Sequence, residues 1–167
     1  TASDDPSCGT DNKDVVCYTN GHPDDMTRAA KKYFLPSKDY VSSYTDSLKM
    51  YMYKNKRAVI SGMDFFYQSW SHGGSSLGLN AKNKAAGAVV FPSPEAIKEG
   101  EEKPAGHSIL LVGWDDDIAF PMLDTDGNPL RDDSGEIIYD KGFFIFKNSW
   151  GTGGTWGASN EFGKGYG

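Results

Sequence analysis

With 167 residues, 38% of them hydrophobic and 13% aromatic, the chain is long and apolar enough for one globular domain with a real core. Its formal net charge of -6, without a Lys/Arg cluster dense enough to form a basic stripe, argues against nucleic acid or an anionic membrane as partner. No apolar run approaches the roughly 18 residues that span a bilayer, and the polar start Thr1-Ala2-Ser3-Asp4-Asp5 does not read as a secretory leader.

Cys8 and Cys17 lie in a polar, turn-rich stretch. A short disulfide loop in an exported protein is the favoured reading. Cys8, Cys17 and His22 would give zinc three soft ligands, but no fourth follows at finger or ribbon spacing, so no metal is expected. Downstream, Pro23-Asp24-Asp25 starts a helix in which Met26, Ala29, Ala30, Tyr33 and Phe34 share a face until Pro36 stops it. Ser43 or Thr45 then caps a second helix with Leu48, Tyr51 and Met52 on one face, ending near Asn55. Ala58 to Met63 reads as a strand.

Ser71 to Ala86 has no periodicity and reads as loop, followed by a brief strand Ala88–Phe91 that Pro92 and Pro94 close. Ile109–Trp114 and Phe143–Phe146 are the strongest strand candidates, short, apolar and bounded by Gly and Asp. Between them, residues 115–140 carry more turn residues than apolar ones. Asp124-Thr125-Asp126-Gly127-Asn128 resembles the opening of a calcium loop, but its glycine stands fourth where such a loop needs it sixth. Solvated hairpins, with turns at Asp126-Gly127 and Ser134-Gly135, are the better reading.

His107 stands just before the first of these strands and Asn148 just after the second. Antiparallel pairing would bring the start of one beside the end of the other, and imidazole beside amide. A catalytic imidazole needs such a polar partner to fix its tautomer, and Trp150 is placed to keep water off the bond. His22 and His72 sit in turn-like settings and read as surface residues.

Gly106-His107-Ser108-Ile109-Leu110-Leu111-Val112-Gly113-Trp114, with Lys141-Gly142-Phe143-Phe144-Ile145-Phe146-Lys147-Asn148-Ser149-Trp150-Gly151-Thr152-Gly153, resembles the second half of papain- and cathepsin-type cysteine peptidases. The helix ahead of Ala58-Val59-Ile60, the aromatic run Phe65-Phe66-Tyr67 and Gly87-Ala88-Val89-Val90-Phe91 follow the element order of that family's β-rich domain. The resemblance covers the chain from about residue 44. It implies an α+β, papain-like fold, mainly the antiparallel, barrel-like domain over residues 44–167 with a hairpin insertion at 115–140. Residues 1–43 would be a segment with one helix, facing the other half.

By the same resemblance His107 is the catalytic imidazole, Asn148 its orienting partner and Trp150 their shield, while Ala105, Gly106 and Ser108 contact substrate. No cofactor is implied. The family's nucleophile stands about 130 residues ahead of its histidine, at the head of an apolar helix. Cys8 is followed by Gly9-Thr10-Asp11-Asn12-Lys13-Asp14 and starts no such helix. The nucleophile-helix segment is thus expected on a complementary chain or segment, with this chain inactive alone and an apolar face turned to its complement. Other implied partners are peptide or protein substrates and a propeptide or protein inhibitor. The implied setting is secreted, periplasmic or lysosome-like. The alternative is a non-catalytic homologue that keeps the cleft as a binding or scaffold surface.

Overall fold

The computed structural model describes residues 38–167. Cys8, Cys17, His22 and the helix expected before Pro36 lie outside the described residues. Helix α1, Thr45–Asn55, turns Met52 into the core and half-buries Leu48 and Tyr51, the face that their spacing foretold. Its N-cap is Tyr44, extended and without a side-chain bond, in place of the expected Ser43 or Thr45. Asp46 in the first turn complements the helix dipole instead.

Strand β1, Val59–Asp64, begins one residue later than expected. Its alternation sends Val59, Ser61 and Met63 inward and leaves Ile60, Gly62 and Asp64 exposed. β2 spans Gly106–Pro121 and β3 spans Tyr139–Lys147, both longer than their apolar centres suggested. The three strands form one antiparallel sheet in the order β1-β2-β3, with Met63 opposite His107 and Leu111 opposite Phe146. Register shifts between Leu111 and Gly113 and between Asp115 and Ala119 let β2 bend along its length. With its helices, the described unit is α+β, and its sheet is open and three-stranded.

Two short helices follow, the first of them within the stretch expected to be loop. α2, Ala81–Ala86, is fixed by Asn80, whose side chain accepts from the Lys82 and Asn83 N–H groups, and is closed by Gly87. α3, Pro94–Glu102, starts on Ser93, whose hydroxyl accepts the Ala96 N–H at 3.1 Å. Pro94 therefore opens a helix, a first-turn position where its missing N–H costs nothing. The strand expected at Ala88–Phe91 is not formed. The Ala88 N–H donates to Asn83 O and that of Phe91 to the Asp140 carboxylate, which leaves no ladder to join.

The expected insertion at 115–140 is narrower, because β2 runs on to Pro121 and β3 starts at Tyr139. Between them Leu123 bridges Pro129 and Arg131 bridges Ile137. Asp124 Oδ1 accepts the N–H groups of Asp126 and Asn128, and Asp132 Oδ1 accepts those of Ser134 and Glu136. Both carboxylates close hairpin turns, as the turn reading required.

The core is Met52, Phe65, Trp70, Ile109, Leu111 and Phe146, between α1 and the inner face of the sheet. Trp70 is 2% exposed and stacks on Phe65 and Trp156. Gln68, equally buried, ties this layer to the hairpins by donating to Gly78 O and Asp124 O.

Candidate active site

His107 is the second residue of β2, on the strand face that also carries buried Ile109 and Leu111. Asn148 follows the last residue of β3, and its N–H donates to Gly165 O at 2.9 Å, which fixes the chain as it leaves the sheet. Antiparallel pairing then sets His107 Nε2 2.9 Å from Asn148 Oδ1. That contact is the juxtaposition expected from the sequence.

Its polarity follows from a neighbour. The Ser149 N–H donates to the same Asn148 Oδ1 at 2.8 Å, so that atom is an acceptor and His107 Nε2 must be the donor. In the neutral ring, Nδ1 is left with a lone pair, able to take a proton from an acid brought beside it. Asn148 is 6% exposed, and its Nδ2 has no hydrogen-bond partner among the described residues.

Three rings enclose the imidazole. Trp70 meets it edge-on at 5.0 Å between centroids, Phe65 likewise at 5.7 Å, and Trp150 lies tilted at 5.4 Å. Trp150, 41% exposed, forms the solvent side of this cage, and buried Trp70 and Phe65 form its floor. Low polarity around a hydrogen bond strengthens it, so the cage favours one fixed ring orientation. Trp150 was foreseen in this position; Trp70 and Phe65 were not. Their signal was the aromatic density of Phe65–Trp70, one β-strand after α1, but nothing in that spacing shows which rings would reach His107.

His72 bears out its reading as a surface residue. It is exposed, as a turn residue should be, yet its ring lies 5.6 Å from Phe65 and from Tyr67 and 5.8 Å from Trp150. The substrate-contact candidates divide. Ala105 packs against the core and its carbonyl accepts the Phe65 N–H, whereas Gly106 and Ser108 alternate to the exposed face opposite His107. On that face Ile60 and Leu110, directly opposite in the register, are 75% and 37% exposed, and Val112 continues the apolar strip.

A cavity of about 590 Å³ lies under Phe120, Phe144, Phe146 and Val90, and neither His107 nor Asn148 lines it. Among the described residues no three His, Cys, Asp or Glu side chains gather as a metal site, and no helix is long and apolar enough to cross a membrane.

One buried carboxylate stands apart from the pair. Burial pushes Glu99 of α3 upward, but hydrogen bonds from the Ser75 hydroxyl, the Ser76 N–H and hydroxyl and Lys103 outweigh it and hold the group at about 2. It fastens α3 to the loop that carries His72.

Comparison of the chain with known protein families, curated proteins and solved structures gave no match.

Proposed function

We propose that this chain is the histidine- and asparagine-bearing half of a papain-like cysteine peptidase, with the nucleophilic thiol supplied by a complementary chain or segment. The observation that carries the reading is the His107–Asn148 contact, polarised by the Ser149 N–H so that Nδ1 is the free base. Aromatic enclosure by Trp70, Phe65 and Trp150 supports it, because orientation and partial exclusion of water are what a catalytic imidazole needs.

In this reading Nδ1 of His107 takes the thiol proton, and the resulting thiolate attacks the peptide carbonyl carbon. The tetrahedral adduct collapses with loss of the amine, which leaves with the Nδ1 proton, and the acyl group stays on sulfur. Water then gives its proton to Nδ1 and attacks the thioester, releasing the acid and restoring the thiol. Asn148 holds the ring through both halves. An exported or lysosome-like setting goes with this reading.

The test is assembly of the chain with its complement and reaction with an epoxide probe selective for activated thiols. Labelling of one cysteine in the complement, and peptide hydrolysis that falls by at least about 100-fold in His107→Ala, is the expected result. Hydrolysis undiminished in His107→Ala, with no cysteine labelled, would leave a binding or scaffold role. Labelling at Cys8 would place the nucleophile on this chain.

A further inference from the structure

The loop that carries His72 is built more rigidly than a surface turn needs. Ser71, immediately before it, holds φ at +46° with its side chain fully buried. A non-glycine residue at such an angle is costly, and strain of this kind gathers where a neighbouring group must be aimed. Backbone bonds fix His72 on both sides: its N–H donates to Tyr67 O at 2.9 Å, and its carbonyl accepts the Ser75 N–H at 3.0 Å. The Gly74 N–H donates to His72 Nδ1 at 3.0 Å, which leaves Nε2 of the neutral ring as the proton-bearing nitrogen. A Cβ on Gly74 would stand 2.9 Å from the Tyr67 ring and 3.1 Å from His72 Nδ1, so the glycine permits this arrangement. Glu99 clamps Ser75 and Ser76 behind it.

His72 shares Phe65 and Trp150 with His107. We infer that His72 is a specificity-determining residue of the proposed peptidase site: its Nε2–H donates to a side-chain oxygen of the substrate, selecting peptides with an amide or carboxylate side chain just after the scissile bond. The inference rests on the peptidase reading. The leaving amine takes its proton from His107, so the residues behind that amine pass the rings around His107, of which Trp150 is the exposed one, with exposed His72 5.8 Å from it.

The test uses the full chain assembled with its thiol-bearing complement and peptides that carry Gln, Glu or near-isosteric Met at the first or second position after the cleaved bond. One hydrogen bond predicts kcat/KM about three- to tenfold higher for Gln or Glu than for Met. His72→Phe, which keeps a ring among Phe65, Tyr67 and Trp150, should erase that ratio while hydrolysis of the Met peptide stays within about twofold, and His72→Gln should restore part of it. An unchanged ratio in His72→Phe, with His107-dependent hydrolysis intact, overturns the role of His72 and leaves the peptidase reading standing. Absence of any His107-dependent hydrolysis removes both.

Discussion

Ser149 donates its backbone N–H to the same Asn148 oxygen that receives His107 Nε2–H. The residue after the asparagine thereby decides which way round its amide sits, and through it which imidazole nitrogen is basic. Asn148→Ala removes the orienting acceptor but no group that reacts. If the proposed peptidase reading holds, it should lower kcat/KM of the chain assembled with its complement by about 100-fold, the lower end of what a positioned acid–base group contributes, with the far-ultraviolet circular dichroism unchanged. Steady-state kinetics at fixed pH checks this, and a loss below about threefold would deny Asn148 its role.

Trp150 is the half-open wall of the cage, whereas Trp70 is part of the core. Trp150→Ala should admit water to the His107–Asn148 bond without dissolving the fold. A hydrogen bond weakened by about 1 kcal/mol corresponds to roughly a fivefold loss in kcat/KM. Trp70→Ala should instead cost about 3–5 kcal/mol of stability, the usual range for deleting a buried large aromatic, and lower activity through unfolding. Chemical denaturation of the two variants separates the effects.

The pair was legible because two independent signals coincided: the Asn148-Ser149-Trp150 context, and two apolar strands whose antiparallel pairing needs only period-two chemistry. α1 was legible from Leu48, Tyr51 and Met52, although its cap was not, since Tyr44 makes no side-chain bond. α2 was hidden because six residues are too few to display a period. α3 was hidden because Pro94 stops an apolar run and starts a helix with the same fixed φ. Ala88–Phe91 looked like a strand because Val89, Val90 and Phe91 are strand formers, yet the end of α2 took the Ala88 N–H group and Asp140 took that of Phe91. His72 comes beside Phe65 and Trp150 by way of a strained turn at Ser71, a conformation that the side chain of Ser gives no reason to expect.

Glu99 gives the fold an acid-sensitive point. The unfolded chain takes up this proton near pH 4.5, and the folded chain only near pH 2. Its contribution is therefore fully present above about pH 4.5 and is lost as pH falls toward 2, because the unfolded state then binds more protons. The difference corresponds to about 3 kcal/mol. Thermal denaturation from pH 7 down to pH 2 should show Tm falling more steeply for the native chain than for Glu99→Gln, and parallel curves would refute the assignment.

Gly127 and Gly135 sit at the two hairpin turns with similar positive φ, +80° and +86°, but in different surroundings. A Cβ on Gly135 meets nothing within 4 Å, whereas one on Gly127 would stand 2.6 Å from the carbonyl carbon of Gly78 and 2.7 Å from the Leu79 nitrogen. Gly135→Ala therefore carries only the left-handed backbone cost, about 1 kcal/mol. Gly127→Ala adds a backbone collision that no rotamer relieves, and it should cost at least about 2 kcal/mol more, as overpacking does. It also pushes the hairpin away from the loop held by Gln68 and Asn80, whose amides donate to Asp124 O and Gly127 O. Equal denaturation midpoints for the two variants would show that the hairpin does not pack against Gly78 in solution.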